Sequence, residues 1–440
     1  MMKTFLQLIF YTTMLAFVDA HAHSSSTSVI LRENYNNWGW KSYVMSNGLI
    51  TLAVVPQIGG RVMQYDLAGH PSIWVNPAEF GNTYEPSASS SWHNYGGYKV
   101  WPAPQKEWIT TGGGWPPPPN LDFGTYSCRI IASSPDSSTI HLESPIETLE
   151  GWKCVGLGFR RRLTIYRDQT RVKVEQTIVN HGKRPVMWGV WDVTQLVVNH
   201  PGEEDWGNFW VYFPIKKNSR FGPKGYYIMG GRGNNPQWKA NLTEGISAVQ
   251  YLHRSGKIGS DSDGGWIAYV DQRDGYLYAK GFPYYAEGTY PDSGATIEVF
   301  TSGGDPYLEV EVLSPLIALT PGDSFTFVEN WYATKFRGTV LEVNRAAAVG
   351  KRLSVDIEAN FARLRGEYGV FSVGDVEIIF RDSRGTRIGS AGSFRVSPLQ
   401  VFTLDVTAPL PPKSQRVDLE LCDTKGRWVG RVDSRLLSTP

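Results

Sequence analysis

The chain has 440 residues and a net charge of +1, from 43 Lys and Arg against 42 Asp and Glu. That balance leaves no basic stripe and no acidic tail, so nucleic acid and anionic membrane surfaces are not expected partners. The length allows two domains, and 16 Trp, 22 Tyr and 19 Phe are enough for a large core and an aromatic-lined site.

Met1–Ala22 reads as a secretory leader. Lys3 gives the basic start, Phe5–Val18 a short apolar stretch, and Val18-Asp19-Ala20 or Ala20-His21-Ala22 a small-x-small cleavage site. The stretch is too short and too interrupted for an anchor, and no later run approaches about 18 apolar residues. A secreted or periplasmic protein with no membrane partner after leader removal is expected. In an oxidising compartment Cys128 and Cys154 are close enough in the chain to pair, leaving Cys422 free. Three widely spaced cysteines fit no zinc pattern, so neither cofactor nor metal is expected.

From Ser28 onward the pattern is β almost throughout. Ile50–Val55 and Arg61–Asp66 flank the turn Pro56-Gln57-Ile58-Gly59-Gly60, a hairpin signature. Ser91–Asp122, SWHNYGGYKVWPAPQKEWITTGGGWPPPPNLD, is too rich in Pro and Gly for a helix or a central strand. It nonetheless carries Trp92, Tyr95, Tyr98, Trp101, Trp108 and Trp115, interleaved with His93, Asn94, Lys99, Gln105 and Glu107. Disordered loops are poor in aromatics, so an ordered loop is expected. Flat rings beside amide, acid and amine groups suit a sugar, and the loop is read as one wall of a carbohydrate pocket; the alternative is a plug at the end of a sandwich.

Strands are predicted next at Arg129–Ala132, Ile140–Glu143, Gly156–Tyr166 and Arg171–Asn180. In the last, Val172, Val174, Gln176 and Ile178 alternate strictly with Lys173, Glu175 and Thr177. Met187–Val198 reads as a buried strand with Asp192 and Gln195 as its polar exceptions. His200–Thr243 reads as irregular. Further strands follow at Ala248–His253, Gly265–Asp271, Tyr276–Phe282, Ala295–Thr301, Tyr307–Ser314 and Ser324–Thr334. A short helix over Thr339–Ala348 leads to seven closely spaced strands in residues 350–440. The predicted architecture is all-β: a large two-sheet assembly over residues 24–340, then a small C-terminal β-sandwich.

SNGLITLAVVPQIGGRVMQYDLAGHPSIWVNP, Ser46–Pro77, resembles the opening of galactose mutarotase-like (aldose 1-epimerase-like) proteins. PYLEVEVLSPLIALTPGDSFTFVENWY, Pro306–Tyr332, resembles their closing strands, and HNYGGYKVW, His93–Trp101, lies where aldose epimerases carry a His-Gly-Gly loop. The similarity spans roughly residues 30–340 and implies that family's supersandwich. It also implies acid/base chemistry at C1 of a sugar, with a histidine as acid and a late glutamate as base. The chain departs from the pattern: no Asn-His-x-x-Phe-Asn motif occurs, and the nearest slot, Trp188-Gly189-Val190-Trp191-Asp192, ends in aspartate.

Glu311 is the candidate base, with Glu298 and Glu309 in reserve and His93 as candidate acid; a glutamate paired with Arg or Lys at a sheet edge is the bland alternative. Glu309 shares a strand face with Glu311. Arg61, Asn94, Tyr95, Lys99, Trp101, Trp115, Asp192, Lys280 and Glu309 are candidate contacts for a mono- or oligosaccharide. Two readings stand: a carbohydrate-active, epimerase-like enzyme, or a carbohydrate-binding protein that lost its acid.

Overall fold

The structure, a computed structural model, describes residues 26–110, 114–243 and 245–437. The expected leader, Met1–Ala22, lies outside the described residues. Two antiparallel sheets, of twelve and ten strands, form a large sandwich, and two four-stranded sheets form the C-terminal part. The centre of the twelve-stranded sheet runs, in spatial order, Ile50–Val55, Arg61–Leu67, Tyr98–Ala103, Val186–Val197, Tyr307–Leu313, Ile297–Thr301 and Gly256–Ser260. The predicted all-β class and two-sheet architecture are what the structure has.

Alternation decides what each strand buries. In Val172–Asn180 the Val172, Val174, Gln176 and Ile178 side chains are buried and Lys173, Glu175 and Thr177 are half-exposed. Between the sheets, Tyr98 meets Trp331 edge-on at 4.6 Å and Tyr65 meets Tyr278 at 5.6 Å. Such a fully enclosed interface is where most of the stabilising apolar burial lies.

Four expectations are corrected. Tyr98–Ala103, inside the stretch predicted to lack a central strand, is a central strand. Pro102 is tolerated because pairing with Arg61–Leu67 is confined to Val62 opposite Tyr98, while the other edge pairs with Gly189–Thr194. His200–Thr243 contains strands Phe209–Pro214, Tyr227–Gly230 and Trp238–Thr243. The predicted helix at Thr339–Ala348 is extended chain: Asn344 Oδ1 accepts the N–H groups of Ala346 and Ala347, and a strand begins at Ala347. Ala346 to Val349 are all buried, which suits a strand between two cores; a helix would turn some of them outward. Cys128, Cys154 and Cys422 are all free, so the proposed pairing does not occur.

The C-terminal sheets enclose their own core around Val376, Ile378, Phe380, Leu364 and Leu419. A separate buried layer, including Tyr332, Phe336, Val340, Ala348 and Phe371, joins this part to the outer face of the ten-stranded sheet. No helix among the described residues is long and apolar enough to cross a membrane.

Candidate functional site

On the face of the twelve-stranded sheet turned away from its partner sheet, charged and aromatic side chains line up across adjacent strands. Register explains the row. Glu298 lies opposite Glu311, Glu309 opposite Gln195, and Trp101 opposite Trp191, so all six project to one side.

At one end of the row Lys257 Nζ stands between two glutamates, 2.6 Å from Glu298 Oε2 and 2.9 Å from Glu311 Oε2. Trp191 donates its indole N–H to Glu311 Oε2 at 2.7 Å, and its ring lies 4.6 Å from the Lys257 ammonium. Glu298 is 1% and Glu311 0% exposed, while the Lys257 side chain is 19% exposed. Burial raises the pKa of both carboxyls, most strongly at Glu298, where Glu311 and Asp292 push it further up and Lys257 opposes. Burial by itself would lower the Lys257 pKa, but Glu298 and Glu311 outweigh it and the ammonium is held charged. One cation between two buried carboxylates leaves one negative charge unbalanced; retaining one proton on the pair removes it. Glu311, which also receives the indole N–H, is the better-stabilised anion, and Glu298 the better seat for the proton.

Further along, Glu309 Oε1 accepts from Gln195 Nε2 at 2.9 Å and lies 3.2 Å from Lys99 Nζ, which sits 4.9 Å from the Trp101 ring. Burial lowers the Lys99 pKa, with Glu309 acting against it and Arg61 adding to it. Arg61 is committed to Asp122 at 2.6 Å, and the same Asp122 oxygen accepts from Trp101 Nε1 at 2.8 Å. Trp92, Trp101, Trp108, Trp115 and Trp191 form a continuous cluster of edge-on and tilted rings. Within it Trp101 is 3% and Trp115 43% exposed.

Glu311, Glu298, Glu309, Lys99, Trp101, Arg61 and Trp115 therefore belong to one continuous contact network. His93 does not join Glu311: its ring stacks on Tyr84 at 3.6 Å, meets Phe123 edge-on at 5.8 Å, and lies 3.6 Å from Glu79. Asn94 accepts from Asn76 through its carbonyl, and Tyr95 is buried against Trp40 in the same neighbourhood as His93. Asp192 and Lys280 are fully buried on the opposite side of the sheet, in an ion pair between the two sheets; Lys280 also donates to the Val310 carbonyl at 3.0 Å. A single step of register separates Asp192 from Trp191 and sends their side chains to opposite faces. Lys257, Trp191 and Asp122 were not candidate site residues in the sequence, and Gln195 stood out only as a polar exception in an apolar strand. Lys257 lies in a strand, Gly256–Ser260, whose two glycines hide its alternation.

Residues 41–201 match the family model described as "Domain of unknown function (DUF4380)". No curated protein matches the chain. Among solved structures, a candidate aldose 1-epimerase from Klebsiella pneumoniae subsp. pneumoniae MGH 78578 is similar at 12% identity and TM-score 0.50, over 70% of this chain and 83% of that one. A galactose mutarotase-like protein from Clostridium acetobutylicum is similar at 13% identity and TM-score 0.46, over 71% of this chain and 99% of that one. The chain thus shares the fold of the Klebsiella aldose 1-epimerase-like structure, in line with the fold the sequence motifs implied.

Proposed function

We propose that the protein, exported from the cell, binds a carbohydrate on the row of side chains between Trp115 and Lys257 and performs acid/base chemistry at its anomeric carbon. The observation that carries this reading is the Glu298–Lys257–Glu311 cluster, two facing buried carboxyls, both with pKa values raised by burial, and one ammonium between them. Ring-opening of a hemiacetal needs a base for the anomeric hydroxyl and an acid for the ring oxygen. In this reading Glu311 is the base, Glu298 the acid in place of the missing histidine, and the Lys257 ammonium fixes both and favours developing negative charge. Glu309, Lys99 and Gln195 supply donors and acceptors for further hydroxyls, and Trp115 an apolar face. The mutarotase-like fold agrees with a sugar ligand, though fold alone does not set chemistry.

Polarimetry on pure anomers of common aldoses tests the proposal. The native protein should speed interconversion, and Glu311→Gln, which keeps size but not basicity, should slow it by roughly 10²–10⁴. An equally active Glu311→Gln variant would remove Glu311 from the chemistry. The near-complete burial of Glu298 and Glu311 favours a second reading, a carbohydrate-binding protein without catalysis. That reading predicts sugar binding by calorimetry with no change in the anomer exchange rate.

A further inference from the structure

We propose that His70, His200, Asp271 and Asp274 form a binding site for a divalent cation of the zinc class, at an edge of the large sandwich. The site shares no side chain with the Glu298–Lys257–Glu311 cluster. His70 Nε2 lies 3.3 Å from Asp271 Oδ2 and 3.6 Å from Asp274 Oδ2. His200 Nε2 lies 2.9 Å and 3.5 Å from the same two oxygens. One donor atom each from His70, Asp271 and Asp274 falls within 4.8 Å of the others. With metal–ligand bonds of about 2.0–2.1 Å, tetrahedral donors sit roughly 3.3 Å apart, which is the spacing of these pairs.

Each donor is aimed by its own surroundings. Asp271 Oδ1 accepts the backbone N–H groups of Arg273 at 3.0 Å and Asp274 at 3.1 Å, which leaves Oδ2 to face the imidazoles. His70 follows a turn in which Ala68 and Gly69 take φ of 50° and 85°, and its ring is clamped flat on Tyr276 at 3.6 Å. The other nitrogen of His200 meets Asp205 Oδ2 at 2.5 Å. A carboxylate behind an imidazole is the arrangement that fixes the tautomer of a metal-binding histidine and raises its basicity. Arg273 pairs with Glu203 and lies 3.1 Å from Asp205, so one positive charge already offsets part of the outer carboxylate charge.

Charge selects the ligand. A divalent ion against Asp271 and Asp274 brings the inner set to neutrality with both imidazoles neutral. Two nitrogens with two oxygens suit a borderline ion such as zinc, whereas magnesium and calcium favour oxygen alone. Three donors, from His70, Asp271 and Asp274, lie within 4.8 Å of one another, and His200, 2.9 Å and 3.5 Å from the two carboxylates, stands beside them as the fourth that a structural zinc site takes. The donors come from the chain after Arg61–Leu67, the chain after Val186–Val197, and the turn between Trp266–Asp271 and Tyr276–Gly281. The first two strands belong to the twelve-stranded sheet and the last two to the ten-stranded sheet, so the ion ties the sheets together. Asp274, 40% exposed, gives the ion its entry.

Untagged full-length protein, stripped with a chelator, would be titrated with zinc chloride by calorimetry and with cobalt chloride by absorption spectroscopy. Expected are one zinc per chain with micromolar or tighter affinity, the strong visible bands of tetrahedral cobalt, and a raised Tm on adding zinc. Asp274→Asn, at a partly exposed position, should keep the native circular dichroism spectrum and weaken zinc binding at least tenfold. Asp205→Asn should weaken it by roughly 10–100-fold, as removal of a partner behind a ligand does. Absence of stoichiometric binding, or binding unchanged in Asp274→Asn, would overturn the proposal and leave a network of His–Asp ion pairs.

Discussion

Glu298 and Glu311 face each other across adjacent strands with the Lys257 ammonium between them, and both carboxyls are buried. The raised carboxyl pKa values have a measurable consequence. Above the ordinary glutamate pKa of 4.5 the folded protein keeps a proton that the unfolded chain has released. Raising the pH through that window therefore favours unfolding, and stability falls until the folded pKa is passed. Glu298→Gln removes the group that holds the proton. Urea midpoints between pH 5 and 7 should show wild-type stability declining relative to Glu298→Gln, by at most about 1.4 kcal/mol per pH unit. Parallel curves for the two proteins would mean that both glutamates are ionised in the folded state.

At the scale of elements, Ser91–Asp122 combines a central strand, Tyr98–Ala103, with a tryptophan cluster that its flanks fold over the sheet. The two halves of that arrangement predict opposite results for two substitutions. Trp101 is buried among Trp108, Trp115 and Trp191 and anchors Asp122, so Trp101→Ala should cost about 3–5 kcal/mol of stability. Trp115 is half-exposed, so Trp115→Ala should leave the urea midpoint nearly unchanged and weaken sugar affinity by a factor of roughly 2–10, the worth of a stacking ring. Equal destabilisation by both substitutions would mean that Trp115 is a core residue and offers no ligand face. The aromatic content of this stretch was legible from composition. That its rings mostly pack on one another was not, because a tryptophan that stacks on a sugar and one that stacks on a neighbour look the same in sequence.

For the whole molecule, we propose a division into a supersandwich over residues 24–340 and a C-terminal sandwich over 350–440. The join is not a solvated linker: Tyr332, Phe336, Val340, Ala348 and Phe371 are buried in one layer between them. Thr170 reinforces it, donating its backbone N–H to the Phe371 carbonyl at 2.9 Å. Separating the parts would expose this layer at about 25 cal/mol per Å². Differential scanning calorimetry should therefore give a single transition for the full chain, and limited proteolysis should spare the buried connector near Ala346. Two well-resolved transitions would show that the parts unfold independently.

What the sequence determined by itself was the all-β class, most of the strand positions, and the galactose mutarotase-like fold of the large sandwich. These follow from local causes: period-two alternation, as in Val172–Ile178, turn residues such as Gly59-Gly60, and motifs contiguous in the chain. The tertiary structure decided which face each residue serves. Asp192 stood out as a polar residue in an apolar strand, yet register turned it toward Lys280 between the sheets and gave the outer face to its neighbour Trp191. His93 and Glu311 lie in two different stretches that resemble one family, yet they pack in different neighbourhoods. Lys257 meets Glu311, 54 residues away, and His200 meets Asp271, 71 residues away, only because strands distant in sequence lie close in the sheets. Long-range strand pairing and the facing of two sheets set such meetings, and no local pattern in the chain encodes them.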